Sequence, residues 1–295
     1  MTRATRERTC RGIPFVLAVV AYFVAVASHC ETAVIAKPAR IVSLNLCTDE
    51  LVLRLAEPSR IASVTWLARE VDSSNVVDLA LRVSINHGFA EEVAAAKPDL
   101  VVAGRYTART AVALLKRTGI PVTDFDVPRS VDEVRKNIRA MAQLLGELDK
   151  GERIIERMDR RLAAMAPPPT PRPRAIVLNP NGVTVGRGTL VDEILTRAGL
   201  DNVAANLGID SYGLVPLETV VTSALDVLIV GASGDGPPAM ATEILRHPVL
   251  RTMADRVEVV RLPMGLLACG GPTVVDAIEQ LRGVAEIAAR RRSLP

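Results

Sequence analysis

The sequence predicts an α/β protein of two lobes, each with a central parallel-rich sheet, joined by a single long α-helix. Three observations predict it. Short β-rich runs alternate with helical patterns along both halves of the 295 residues, the signature of βα units and parallel strands. A segment from Ser130 to Ala166 reads as almost continuously helical and separates those halves. A stretch of the first half also recurs in the second. The length suits two lobes with separate cores.

The opening 1–27 reads as an export signal outside both lobes. Arg3, Arg6, Arg8 and Arg11 make a positive n-region, Ile13 to Ala27 is uncharged and apolar, and Ala25-Val26-Ala27 offers small residues for cleavage. The apolar run falls short of the ~20 residues that a membrane span needs, which disfavours a retained anchor. Cys30 raises a lipid tether, but His29 stands where a small residue is expected before a lipidated cysteine. A second cut could follow Ala36. Four Arg and one Glu in this segment account for the whole formal charge of +3. The remaining chain is close to neutral, which argues against a nucleic-acid partner.

The first lobe is assigned to 37–148. Its strands are expected at Arg40–Asn45, Ile61–Thr65, Asp99–Gly104 and Pro121–Asp126, with helical runs at Asp49–Leu55, Glu91–Ala96 and Arg109–Thr118. Within the helical stretch, Ser130 with Glu133 and Asp149 with Glu152 each match a capping box, and Gly146 suggests a break. The connecting helix is therefore placed at 149–166, where Ile154, Ile155, Met158 and Leu162 fall at helical spacing. The proline run Pro167–Pro173 ends it. The second lobe, 167–295, has strands expected at Arg174–Asn179, Val183–Gly186, Asp226–Gly231 and Val257–Leu262. Its helices are expected near Leu190–Ala198, Glu218–Ser223, Thr242–Met253 and Val274–Ala289.

The internal echo aligns Glu91–Gly104 with Glu218–Gly231 without a gap. In both, a Glu opens a short helix, an Asp follows at the head of a buried strand, and a Gly ends it. Agreement of all four markers favours pseudo-symmetry over a chance pair of βα units.

In this order the pieces resemble the periplasmic binding proteins for cobalamin and ferric siderophores, whose two lobes are joined by one long helix. The resemblance spans about Ala39 to Ala289 and is strongest over Arg40–Leu51 and Ala90–Gly104. It implies the periplasmic substrate-binding component of an ABC importer. Such a protein is a monomer that captures an iron–siderophore or related metal chelate between its lobes and delivers it to membrane permease subunits. It implies no enzyme activity and no resident cofactor, the ligand being a ferric chelate or corrinoid. The family's permease-docking Glu on each lobe falls on Glu91 and Glu218, which also sit where a helix macrodipole favours a negative side chain. Where the cobalamin binders carry a Trp shortly before the first docking Glu, this chain has Ile85-Asn86-His87-Gly88-Phe89. That departure points away from cobalamin and toward a ferric siderophore, with corrinoid and haem as alternatives.

Ligands of open α/β sheets sit beyond the carboxyl ends of the strands. That rule selects Asn45, Trp66, Arg105 and Tyr106 in the first lobe, and Asn181, Arg187, Tyr212 and the Met264–Pro272 segment in the second. Trp66, Phe89, Tyr106 and Tyr212 fall in expected loops, where aromatic faces suit ligand contact. Arg105 and Arg187 could neutralise an anionic ligand, whereas Arg109 is expected to face solvent. His87 is the one loop imidazole available to an iron centre. With only 3 His in the chain, no set of protein ligands for a bare metal ion emerges.

Cys47 and Cys269 both fall on the cleft side. An oxidising periplasm permits a bridge between them, and two buried thiols are the other reading. The rival from another class is an exported α/β hydrolase. Gly231-Ala232-Ser233-Gly234 lacks the spacing of a nucleophile elbow, and no glycine-rich loop leads into Lys-Ser/Thr for a nucleotide phosphate.

Overall fold

The computed structural model describes residues 37–232 and 242–293. The segment 1–27 read as an export signal, Cys30 and Ser233 lie outside them. Among the described residues no helix is long and apolar enough to cross a membrane.

The first lobe is built on five parallel strands in the order β3-β2-β1-β4-β5, namely β1 (Ile41–Ser43), β2 (Ile61–Thr65), β3 (Ile85–Asn86), β4 (Leu100–Gly104) and β5 (Val122–Phe125). Its helices are α1 (Leu46–Leu55), α2 (Val77–Ala80), α3 (Ala90–Ala95) and α4 (Arg109–Arg117). Helix α1 begins early because Asn45 holds an extended backbone and its side chain accepts from the N–H groups of Cys47 at 2.9 Å and Thr48 at 3.4 Å.

Two helices follow, α5 (Val131–Leu145) and α6 (Leu148–Ala163). Ser130 caps α5 through the N–H of Glu133, and Gly146 ends it at φ 70, a left-handed conformation that glycine adopts without strain. The chain then turns back, so that Gly151 of α6 fits against the Ala142 side chain of α5. Helix α6 reaches the second lobe through Arg161, which binds Asp276 at 2.6 Å. It is thus the connecting helix, preceded by an antiparallel partner. The expected cap at Asp149 is corrected: α6 starts one residue earlier with Glu147 at the cap position, and Glu152 pairs instead with Arg139 at 2.7 Å.

The second lobe carries four parallel strands in the order β11-β10-β6-β8, from β6 (Arg174–Leu178), β8 (Asp201–Asn202), β10 (Val227–Ala232) and β11 (Glu258–Pro263). A separate antiparallel ribbon pairs β7 (Val183–Val185) with β9 (Tyr212–Leu214). The Val183 strand therefore stands outside the parallel sheet. The helices are α7 (Leu190–Ala198), α8 (Val203–Asn206), α9 (Leu217–Thr222), α10 (Glu243–Arg246), α11 (Pro248–Met253), α12 (Met264–Ala268) and α13 (Val274–Arg292). The single helix expected over Thr242–Met253 is two, because Pro248 supplies no N–H to continue the ladder and starts α11 instead.

Side chains alternate across both sheets as the pleat requires. Ile41, Leu100 and Val102 point into one core cluster, and Val42, Val101 and Ala103 into another. In the second lobe Ala175, Val177, Val227 and Ile229 join the first of these clusters, whereas Ile176, Leu178, Leu228 and Val230 form a third. The inner faces of both sheets thus share one continuous core with α5, α6, α7 and α13.

The internal echo is structural. Asp99 accepts from the backbone N–H of Arg40 at 2.8 Å, at the head of β1. Asp226 accepts from the N–H of Arg174 at 2.7 Å, at the head of β6. At the other end of the same strand pairs, Gly104 lies against Asn45, and Gly231 against Asn179. A Cβ on Gly104 would stand 3.0 Å from the Asn45 side chain, so the close approach requires glycine.

Candidate functional site

In each sheet the strand order reverses beside the first strand of the lobe, between β1 and β4 and between β6 and β10. Loops diverge there and leave a crevice at the carboxyl ends. A cavity of about 750 Å³ lies on the β4–β5 side of this crevice and is shared with the second lobe, within the range of small-molecule sites. The first lobe lines it with Tyr106 after β4, with the Asp126–Arg129 turn after β5, and with Glu133, Lys136 and Asn137 on α5. The second lobe contributes the Gly188–Val191 turn, Ser211 and Tyr212 on the ribbon, and Leu267, Ala268 and Gly270.

Two aromatic faces therefore enter from opposite lobes. Tyr106 is 71% and Tyr212 64% exposed, so both rings are free to meet a ligand. The carboxylates of the lining are already engaged. Asp126 accepts from Arg105 at 2.6 Å, and Glu133 accepts from the backbone N–H of Arg129 at 2.7 Å. Asn137 donates to the Asp126 carbonyl at 3.0 Å. Among the described residues the charged ends of Arg129 and Lys136 have no protein partner. The cavity consequently presents two uncommitted cations beside two tyrosines, over an apolar wall of Val127, Pro128, Leu190 and Val191.

Of the residues picked from the sequence, Tyr106, Tyr212 and the Met264–Pro272 segment line this cavity, and the others do not. Asn45 spends its side chain capping α1. Trp66 opens a single 3₁₀ turn after β2, on the far side of β1 from the strands whose loops line the cavity, and is 42% exposed. Asn181 turns the chain after β6 with φ 59. Arg105 is held by Asp126 and touches the site only through it. Arg187 pairs with Asp210 at 3.4 Å and donates to the Ala205 carbonyl at 2.9 Å. His87 faces Glu92, with Nδ1 at 3.3 Å from its carboxylate, and among the described residues no third ligand joins them. Arg129 and Lys136 were not among the expected residues. The strand-end rule applied to Pro121–Asp126 would have reached Arg129.

Under the cavity the lobes are stitched together. Cys47 and Cys269 form a disulfide with Cα atoms 5.0 Å apart. Glu50, buried on α1, accepts from the Thr273 hydroxyl at 3.2 Å and from Arg54 at 3.0 Å. Asn75 donates to the carbonyl of Gly265 at 2.8 Å and to the Thr273 hydroxyl at 3.0 Å. The neighbouring Asp49 is fully buried, and burial pushes its pKa up to about 7 against the lowering effect of its hydrogen bonds from Thr65.

Glu91 and Glu218 each sit in the first turn of a short helix, α3 and α9, and both are exposed. Neither carboxylate has a partner among the described residues. Of the two described imidazoles, His87 is engaged with Glu92 and His247 accepts from the N–H of Val249 at 3.3 Å.

A family model described as periplasmic binding protein matches residues 41–254. A cobalamin-binding protein of Halobacterium salinarum is 26% identical over 224 residues, covering 74% of this chain. The aligned stretch spans 61% of that relative's own length. An uncharacterized ABC transporter substrate-binding lipoprotein of Bacillus subtilis is 23% identical over 268 residues, covering 86% of this chain and 82% of the relative. Among solved structures, the periplasmic heme-binding protein of Roseiflexus sp. RS-1 in its apo form superposes with a TM-score of 0.68 at 24% identity, covering 85% of this chain and 98% of that one. Its likeness establishes the shared two-lobed α/β fold. A match across most of the described chain, on that fold, makes this protein a member of the periplasmic binding protein family.

Proposed function

We propose that the protein is the substrate-binding component of an ABC importer in the periplasm, holding an anionic iron chelate, a ferric siderophore first, between its lobes. The observation that carries this reading is the composition of the cleft: Tyr106 and Tyr212 from opposite lobes, with the uncommitted cations Arg129 and Lys136 beside them. Aromatic faces suit a flat or ring-rich ligand, and free cations suit one with negative charge. No group of three His, Cys, Asp or Glu among the described residues could hold a metal, so the iron would arrive with ligands of its own. Delivery to the permease would use Glu91 and Glu218, whose free, exposed charges suit rim contacts that steer encounter and set register.

A corrinoid is the second reading, and the relative named as a cobalamin-binding protein favours it. Haem is the third, and the similar solved structure named as a heme-binding protein favours that. Calorimetric titration of the purified protein with ferric catecholate and hydroxamate siderophores, haemin and cyanocobalamin separates them. The expected result is tight binding of an anionic iron chelate and at least a hundredfold weaker binding of cyanocobalamin. Tightest binding of cyanocobalamin, or a robust esterase turnover, would replace the proposal.

A further inference from the structure

A second cavity, of about 450 Å³, shares no residue with the cleft. It is lined by six cations, Arg54, Arg82, Lys150, Arg153, Arg157 and Arg161, against two carboxylates, Glu57 and Asp276. The pairing inside it is uneven. Arg54 is held by Glu50 at 3.0 Å, Arg161 by Asp276 at 2.6 Å, and Lys150 stands 4.0 Å from Glu57. Arg82, Arg153 and Arg157 have no partner among the described residues.

The placement of these groups follows from the helix. Lys150, Arg153 and Arg157 recur at spacings of three and four on α6, which puts them on one face, where like charges repel. Arg82, just past α2, adds a fourth charge from the first lobe. Residues after the export segment carry no net charge, so the positive field here is a local concentration, and an anion would relieve it. The surface between the cations is apolar. Leu53 and Met158 are buried and Ile154 is half-buried. Pro272, Thr273 and Asp276 complete the wall from the second lobe.

From this geometry we infer that the cavity binds a phosphate-bearing amphiphile, either the headgroup of an anionic phospholipid or a soluble organic phosphate. Forked guanidinium groups match phosphate oxygens in pairs, and the apolar floor accommodates the carbon adjoining the phosphate. The occupant would touch the first lobe, the connecting helix and the second lobe together, and so restrain their relative movement. Because the two cavities share no residue, this site does not depend on which ligand the cleft holds.

The test uses the purified exported chain with two probes. Vesicles of phosphatidylglycerol with phosphatidylcholine are compared with pure phosphatidylcholine in flotation, and glycerol 3-phosphate is titrated by calorimetry. Binding to one or both probes is expected. It should weaken at least tenfold in Arg153→Glu/Arg157→Glu, and also in Arg153→Ala/Arg157→Ala should the first pair fail to fold. Charge reversal on another helix, Arg117→Glu, should leave it unchanged. Vesicle binding alone identifies a lipid headgroup, whereas binding of glycerol 3-phosphate identifies recognition of the phosphate itself. Absence of binding to both probes, an unaltered affinity in the paired variant, or equal weakening by Arg117→Glu would overturn the inference.

Discussion

Cys47 and Cys269 join the lobes covalently at the floor of the cleft, across a sequence separation of 222 residues. The neighbours of Cys269, Ala268 and Gly270, line the cavity itself. A cross-link over so long a loop restricts the unfolded chain strongly, and its loss costs about 2–5 kcal/mol. Replacing both cysteines by serine should lower Tm by roughly 5–15 °C. Reductant should bring the wild type to the same Tm and leave the variant where it is. Thermal melts with and without reductant check this, and coincident curves for both proteins would remove the bond from the account.

Asp49 makes stability depend on pH. One carboxylate oxygen takes the Thr65 hydroxyl at 2.5 Å and the Thr65 N–H at 3.2 Å, while the other meets no donor. Burial raises its pKa from 3.8 to about 7. Between those values the folded state holds a proton that the unfolded chain has released, so stability falls as pH rises through the window. Above it the full penalty applies, on the order of a few kcal/mol. In Asp49→Asn the titration is gone, and the variant should gain on the wild type from pH 5 to pH 8. Denaturant midpoints across that range measure it. Parallel pH profiles for the two proteins would contradict the assignment.

How far the sequence reached depended on the length of each signal. Strands β1, β2, β4, β5, β6 and β7 fall within the runs read from it, and β10 and β11 overrun theirs by one residue at the carboxyl end, because each has alternating or continuous apolar residues to show. Strands β3 and β8 have 2 residues each, too few for any period to register, and β9 is Tyr-Gly-Leu, whose central glycine breaks the β-rich run, so Tyr212 reads as loop. The site was harder. Arg105 looked free because its partner Asp126 lies 21 positions on, and only folding brings them together. Trp66 follows a strand end as the rule requires, yet β2 lies on the far side of β1 from β4 and β5, whose loops line the cavity. Strand order, which no local pattern encodes, decides which loop ends face the cleft.

The two cleft tyrosines should act on affinity alone. Tyr106→Ala and Tyr212→Ala are each expected to weaken chelate binding by about tenfold, on the order of 1.4 kcal/mol, with Tm unchanged because both rings are exposed. Trp66→Phe should bind as the wild type does, since Trp66 lies outside the cavity lining. Calorimetry on the three variants decides it, and a larger loss from Trp66→Phe than from either tyrosine variant would move the site.

Glu91 and Glu218 should separate binding from delivery. Glu91→Arg and Glu218→Arg leave the cleft untouched, so Kd for the chelate should stay within twofold. Stimulation of the permease–ATPase complex in reconstituted vesicles should fall by tenfold or more, because reversed rim charges oppose docking. Full stimulation by both variants would place the docking surface elsewhere.

Asp99 and Asp226 test whether the pseudo-symmetry is energetic as well as visible. Asp99 takes the N–H groups of Ala39 at 2.7 Å and Arg40 at 2.8 Å, and Asp226 takes that of Arg174 at 2.7 Å. Both stand at the amino ends of β1 and β6, remote from the loops that form the cavity. Alanine at either position strands a backbone donor at the head of a central strand and should cost about 1–2 kcal/mol. The losses should add in the double variant, because the sites lie in different lobes and share no partner. Chelate Kd should not change. Urea denaturation of the single and double variants measures the first two expectations. A neutral substitution at one Asp beside a costly one at the other would mean that the two lobes share a pattern of residues but not the interaction that pattern encodes.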